Sequence, residues 1–331
     1  MNIVFKIIGI LVIVVVFGAA LGLWFLVSGG RDISLKDLRA KYEVDQSEYV
    51  DLDGVLIHFI DEGDGYPIIL THASYHSARA WDGVAEILKN NFRVIRFDFP
   101  NSGLSGLDSK NRYNVDHYQE IISQLSSHLN IEKFHLIGTS SGGTVAFRYA
   151  SNNPEKVNRF VLVNSAGMPR TKVTNPNRPR GNQFARWLQS YHQSRGYWER
   201  ALSRTVTSGP PSEAHIEMNY DMNRRAGKRE PARTFMRNYV TGDPESVLNK
   251  VKSPTLVLWG LSNPTVMHLE ANVIQHWLIN APSLVKKYES LGHYPYIEKP
   301  ELVASDINSF LLGEYDDLLR QTTMAKVNMN N

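Results

Sequence analysis

Two periodic patterns and one uniform one organise the chain. Residues 134–137, 160–163 and 255–259 are short, almost continuous apolar runs, the pattern expected of parallel strands covered on both faces. Further strand-like runs lie at 55–60, 67–70 and 93–97, with another at 285–288. Between them, residues 80–89, 117–129 and 144–151 carry apolar positions at helical spacing. Strands alternating with helices predict an α/β fold: a largely parallel sheet with right-handed crossovers and flanking helices.

The alternation stops after Ala166 and resumes near Ser253. Residues 167–252 hold helical stretches at 183–193 and 231–239, divided by proline-rich turns, and no strand-like run. A segment of that length is not a simple connection, so it is expected to be a helical lid inserted between two core strands. From Met168 to Val251, Lys and Arg outnumber Asp and Glu by 15 to 7, against a net charge of +3 for the whole chain. A solvated cationic face accounts for this excess, as does a face turned to anionic head groups or an anionic substrate. Phe184, Trp187, Tyr191, Tyr197, Trp198, Met222 and Met236 are divided between core and pocket roles that spacing alone does not sort.

Residues 7–27 are apolar on every face and contain no charged side chain. Hydrocarbon needs about 20 such residues as a helix, and Trp24 suits the interface. A signal peptide would use Lys6 as its basic start and residues 18–20 as its cleavage site. However, the apolar run continues past those residues to Val27, which favours an uncleaved anchor. The expected division is therefore an anchor over 1–30, a connector over 31–48, a core over 49–166 and 253–314, the lid over 167–252, and a polar tail over 315–331 that frays from Gln321 to Asn331. Basic residues follow the run more than they precede it, which favours a cytoplasmic domain, but long domains translocate regardless of such charges. The side of the membrane is left open.

Composition narrows the chemistry. The 331 residues include 42% hydrophobic and 21% charged side chains and no cysteine. That excludes a disordered chain, thiolate metal sites and a cysteine nucleophile. The small net charge gives no reason to expect nucleic acid as a partner. No His-Glu-x-x-His or phosphate-loop motif is present, so neither a metal nor another cofactor is expected.

The sharpest motif is Gly138-Thr-Ser140-Ser141-Gly142, after the run at 134–137 and before the helical pattern at 144–151. This Gly-x-Ser-x-Gly in a strand–turn–helix setting makes so tight a turn that bulky residues two places either side of Ser140 would clash. It exposes the Ser140 hydroxyl beside a helix N-terminus, and it assigns Ser141 the role of a backbone N–H donor.

With this elbow in place, the chain resembles the α/β-hydrolase fold superfamily, in its branch of lidded esterases, lipases and carbon–carbon bond hydrolases. The likeness covers residues 49–312. Asp53-Gly54 through His58, with Asp61-Glu62-Gly63, resembles the opening hairpin. His72-Ala73-Ser74 resembles the oxyanion loop, with alanine in place of glycine. Asp98 through Ser105 resembles the Asp-x-x-Gly-x-Gly-x-Ser segment, and Gly292-His293 the late Gly-His. The resemblance implies Ser140 as nucleophile, His293 as general base and the N–H groups of Ser141 and Ser74 as the oxyanion hole. His72 is expected to order its loop rather than to act as a base. Haloalkane dehalogenases and related epoxide hydrolases carry a carboxylate at the elbow, so Ser140 favours acyl transfer.

The acid position departs from the pattern. After the strand at 255–259 stands Asn263, and Asn164 occupies the alternative site after 160–163. Asn263 could accept a hydrogen bond from the imidazole, but it brings no charge. Glu270 is the nearby carboxylate that could substitute. Two functions follow: a membrane-anchored serine hydrolase for a small acyl substrate, with Ser140, His293 and Asn263 as its triad, or a binding protein that has lost turnover. Oligomeric state is not readable from these patterns.

Overall fold

The computed structural model describes residues 2–27, 30–169, 182–189 and 191–329. Parts of the expected anchor and lid, residues 28–29, 170–181 and 190, lie outside the described residues, as do the ends of the chain. Eight strands form one sheet: β1 Ser47–Leu52, β2 Val55–Glu62, β3 Tyr66–Thr71, β4 Phe92–Phe97, β5 Phe134–Thr139, β6 Val157–Val163, β7 Thr255–Gly260 and β8 Ser283–Tyr288. Their order is β1-β2-β4-β3-β5-β6-β7-β8. β2 runs antiparallel to both β1 and β4, and every other pairing is parallel.

Period-two alternation divides the strand residues between two cores. Ile69, Ile95, Leu136, Leu162 and Val257 face one cluster, while Ile68, Val94, Ile137, Val161 and Leu256 face the other. Helices α4 (Val115–His128), α5 (Ser140–Asn152) and α11 (Leu269–Trp277) cover the first face, and α3 (Asp82–Leu88) and α13 (Pro300–Leu311) the second. Fully buried runs on both faces are what made the parallel strands readable. The hairpin β1–β2 turns at Asp53 and Gly54, both with positive φ, the conformation that an Asp-Gly turn needs.

Among the described residues, five helices lie between β6 and β7: α6 (Gln183–Gln189), α7 (Arg195–Thr205), α8 (Glu213–Asn223), α9 (Arg229–Arg237) and α10 (Pro244–Leu248). Of the aromatic and methionine residues there, Trp198 and Met222 are core, whereas Phe184, Trp187 and Met236 are exposed. The short α12 (Pro295–Glu298) follows the late Gly-His.

Helix α1 (Asn2–Val27) has no buried residues across its apolar window and is long and apolar enough to cross a membrane. Two expectations need correction. Residues 31–48 are more than a polar connector, because they contain α2 (Leu35–Tyr42), capped by Ser34, and the first residues of β1. Leu38 and Tyr42, four apart, form the apolar stripe of α2 and pack on Leu104 and Met222. The tail is helical as α14 (Asp316–Met329). Leu319 is buried, and both guanidinium nitrogens of Arg159 donate to the Asp316 carboxylate at 2.8 and 3.0 Å.

At the carboxyl edge of the sheet, Asp98 is 1% exposed and takes hydrogen bonds from three directions. The N–H groups of Ala78 and Leu104 donate at 2.7 and 2.8 Å, and the His58 ring nitrogen Nδ1 lies at 2.7 Å. Burial pushes this carboxyl up, but His58 and the backbone donors outweigh that and hold it at about 2. Replacing Asp98 by alanine leaves these donors unpaired in the core. Asp98→Ala should reduce unfolding stability by about 3–5 kcal/mol, read from urea midpoints. Asp316→Ala breaks a half-exposed pair and should cost about 1 kcal/mol or less. Equal losses in the two variants would remove Asp98 from this central position.

Candidate active site

The elbow is built where β5 runs directly into α5. Ser140 sits at φ +50°, a left-handed conformation unusual for serine. A Cβ at Gly138 would lie 2.6 Å from the Ala146 Cβ, and one at Gly142 would lie 2.4 Å from the His72 carbonyl oxygen. Both glycines are therefore required by close approach, as the motif implies. Gly143 is a third such position, because its Cβ would meet Ser165 Oγ at 2.4 Å. The carbonyl of Ser140 is held by the N–H of Ala166 at 3.0 Å.

The Ser140 hydroxyl lies 3.1 Å from Nε2 of His293. His293 follows β8 on a loop clamped from several sides. Its N–H donates to Thr205 O at the end of α7, at 2.7 Å. The Asn164 amide donates to the carbonyls of Gly292 and His293 at 2.9 and 3.0 Å and accepts from Gly260 N–H at 3.0 Å. Asn164 therefore positions the histidine loop and does not face the imidazole as an acid would. Glu298 completes the clamp by accepting from Gly292 N–H and from the N–H groups of Thr207 and Ser208, each at 2.9 Å. Sequence patterning identified neither Thr205 nor Glu298, because both act through contacts between distant segments.

The structure does not join Asn263 to His293. The Asn263 carboxamide oxygen accepts from Thr265 N–H at 2.8 Å and Val266 N–H at 3.3 Å, closing the turn after β7. With the oxygen so engaged, its amide nitrogen is buried without a partner, and so is Nδ1 of His293. Glu270 does not replace it: its carboxylate accepts from Met267 N–H at the start of α11. No carboxylate within 4.0 Å balances the imidazole among the described residues. Burial alone accounts for the depressed His293 pKa of about 4.

The expected oxyanion donors also need revision. Ser74 N–H is occupied, donating to Ser141 Oγ at 2.7 Å, and the two hydroxyls lie 2.7 Å apart. An incoming oxyanion must displace the Ser141 hydroxyl to use Ser74. Ser141 N–H belongs to the first turn of α5, whose N–H groups have no intrahelical acceptor. His72 orders the loop: Nδ1 lies 2.8 Å from the Ala73 carbonyl and Nε2 accepts from Phe99 N–H at 3.1 Å. That pattern requires neutral imidazole, and burial lowers its pKa accordingly.

A small cavity beside the elbow is walled by His72, Ser74, Phe99, Ser141, Phe235 and Lys228. Lys228 was not singled out by the sequence, where it is one cation among many. A larger cavity of about 200 Å³ lies between α8, α12 and the turn before α3, and touches neither Ser140 nor His293. The smaller one likewise has neither Ser140 nor His293 in its wall, but it borders the elbow through Ser141 and Ser74.

Comparison with known proteins identifies the fold family. Residues 66–300 match the family model described as the alpha/beta hydrolase fold. The chain is 26% identical over 270 residues to the 2-hydroxymuconate semialdehyde hydrolase of Pseudomonas sp. strain CF600, covering 78% of this chain and 91% of the relative. It is 22% identical over 280 residues to haloalkane dehalogenase 2 of Mycobacterium tuberculosis, covering 79% and 93%. Among solved structures, a bacterial membrane phospholipase A superposes with a TM-score of 0.68 at 21% identity, covering 92% of this chain and 97% of that one. These relatives are hydrolases, and this chain belongs to the α/β-hydrolase fold family.

Proposed function

We propose that the protein is a membrane-anchored serine hydrolase that cleaves an ester or related acyl bond, a carbon–carbon acyl bond included. The observation that carries this reading is the Ser140 hydroxyl, held on a strained elbow 3.1 Å from the His293 imidazole. Ser140 Oγ adds to the substrate carbonyl carbon while its proton passes to Nε2 of His293. The carbonyl electron pair moves onto oxygen, where Ser141 N–H at the head of α5 stabilises it. Collapse of the adduct expels the leaving group, which takes the proton from His293 and leaves an acyl-enzyme for water to cleave. A serine at the elbow supports acyl transfer over the alkyl-ester route that its dehalogenase relatives suggest.

Ser140→Ala should abolish fluorophosphonate labelling and lower ester turnover by about 10⁴-fold or more, with an unchanged thermal midpoint. Ser141→Ala should retain labelling, because that residue supplies its backbone. Labelling lost only in Ser141→Ala would move the nucleophile by one residue.

A binding protein without turnover is the second reading, and the unpartnered Nδ1 of His293 favours it. Asn263→Asp separates the two. The carboxylate can keep its bonds to Thr265 and Val266 while its second oxygen takes the place of the orphaned amide nitrogen. A negative charge there raises the imidazole pKa. The wild-type kcat/KM should lose its lower limb only near pH 4, and in Asn263→Asp that limb should move to higher pH. The rate gain is bounded at about 10⁴ by the trypsin case. If rate and profile stay fixed in a folded variant, position 263 is not the third member.

The anchor reading rests on α1. Full-length protein should sediment with membranes and resist high-salt extraction, whereas a chain beginning at Gly30 should stay in the supernatant. Recovery of a soluble, shortened form that begins near Leu21 would instead establish signal-peptide cleavage.

A further inference from the structure

Lys228 is 5% exposed, and its ammonium has only neutral acceptors. It donates to Asn223 Oδ1 at 2.9 Å and to the Met222 carbonyl at 3.3 Å, leaving a third N–H. Among the described residues no carboxylate lies within 4.0 Å of it. A buried cation without a counter-charge is expensive to keep. Burial lowers its pKa to about 7, with Arg225 adding repulsion and Asp98 a smaller attraction.

Its position gives that cost a direction. Lys228 shares the wall of the small cavity with Ser74 and Ser141, directly beside the elbow. It also lines an open cavity of about 420 Å³ on the outer side of the insert, and Tyr75, Ala232 and Met236 border both spaces. The outer cavity is lined by Arg229, Arg233 and Arg237 and by no acidic side chain among the described residues. All three arginines are balanced by carboxylates outside the cavity lining, Arg229 by Asp32, and Arg233 and Arg237 by Glu230. Lys228, the most buried of the four cations and the one that also lines the small cavity with Ser141, lacks such a partner. Tyr75 stands at the junction at φ +67°, with its carbonyl accepting from Asn223 Nδ2 at 2.9 Å. Asn223 therefore holds both the ammonium and the tyrosine at the boundary between the two spaces.

We propose that Lys228 is a specificity residue that binds an anionic group, a carboxylate or a phosphate, carried by the acyl substrate of Ser140. The arginine-lined outer cavity is the approach by which that substrate enters. This rests on the serine-hydrolase reading for the reaction, though not for the binding of the anion. The competing role for Lys228 is purely structural, as a cation on the last carbonyls of α8. That role confers no preference between charged and neutral substrates.

The test compares mono-p-nitrophenyl adipate with p-nitrophenyl hexanoate, which match in acyl length and differ in a terminal carboxylate. A charge-assisted hydrogen bond predicts a wild-type kcat/KM ratio of about 10–100 in favour of the charged ester. Lys228→Met should bring that ratio close to one, and Lys228→Arg should restore part of it. A wild-type preference for the neutral ester, or a ratio unchanged in Lys228→Met, overturns the proposal.

A binding arm keeps the two readings apart. Full-length Ser140→Ala protein is titrated with monomethyl adipate and with monomethyl phosphate, each with and without Lys228→Met. Lys228-dependent binding of either anion supports the subsite and identifies which group it takes. Lys228-dependent binding without turnover of either ester removes the hydrolase reading and keeps the subsite. Turnover without charge preference or anion binding does the reverse.

Discussion

The catalytic edge of this molecule depends on one buried carboxylate. Asp98 gathers a strand residue, His58, the N–H that opens the turn before α3, and the N–H of Leu104 in the loop after β4. A Cβ on Gly103 would fall within 2.2 Å of its carboxylate atoms, so the loop can close around the charge only because glycine stands there. The next residue of the same loop, Phe99, donates its N–H to His72, which in turn holds the Ala73 carbonyl. One buried charge thus fixes both walls facing the elbow. It is stable because both carboxylate oxygens are met by donors, the condition under which a desolvated carboxylate is tolerated.

The histidine loop is held differently. Asn164 and Glu298 place His293 through its backbone and that of Gly292, and neither group approaches the ring. Position and electrostatics are therefore separate here. The imidazole is aimed at Ser140 by backbone bonds, while its Nδ1 has no protein partner to select the tautomer. With an acid in place, one residue would perform both tasks. Without it, burial is the dominant influence on the ring and depresses its basicity. This arrangement brings the Ser140 hydroxyl to the ring, while burial alone acts on the ring's basicity.

What could be read from the sequence follows the range of the interactions involved. The parallel strands were legible because burial on both faces leaves continuous apolar runs, and the elbow because its glycines are imposed by contacts within a few residues or with an adjacent strand. α2 was hidden because its stripe is only Leu38 and Tyr42 among charged neighbours, and it is completed by Leu104 and Met222 far along the chain. α14 is hidden within a polar tail because Arg159, which anchors its first residue, is 157 residues away. The same holds within the site. Ser140 and His293 were legible from motifs, but the turning of Asn263 toward Thr265 and Val266 was not, since a side chain's choice of acceptor leaves no trace in spacing. Lys228 was invisible for the complementary reason: burial, which it shares with Arg225, and its place in the wall beside Ser141, rather than residue type, set it apart from the other cations of the insert.

The insert is fastened on two sides by its own backbone and by charged side chains. On one side His293 N–H donates to Thr205 O, so the end of α7 helps to place the histidine loop. On the other, Ile33 exchanges backbone bonds with the segment before α9: its N–H donates to Arg224 O at 3.0 Å, and its carbonyl accepts from Ala226 at 2.9 Å. Arg229 closes on Asp32, and Arg225 donates to the Ser105 carbonyl within the loop that encloses Asp98. Residues 31–33, which follow α1, are therefore bonded directly to the turn that carries Lys228. A displacement of that short stretch cannot leave the turn in place, because the paired backbone groups are partly buried and would lose their partners together. The segment next to the apolar helix, the turn that carries Lys228 and the Asp98 loop thus form one connected set of hydrogen bonds, so the wall around Lys228 is positioned from the direction of α1 as well as from the sheet.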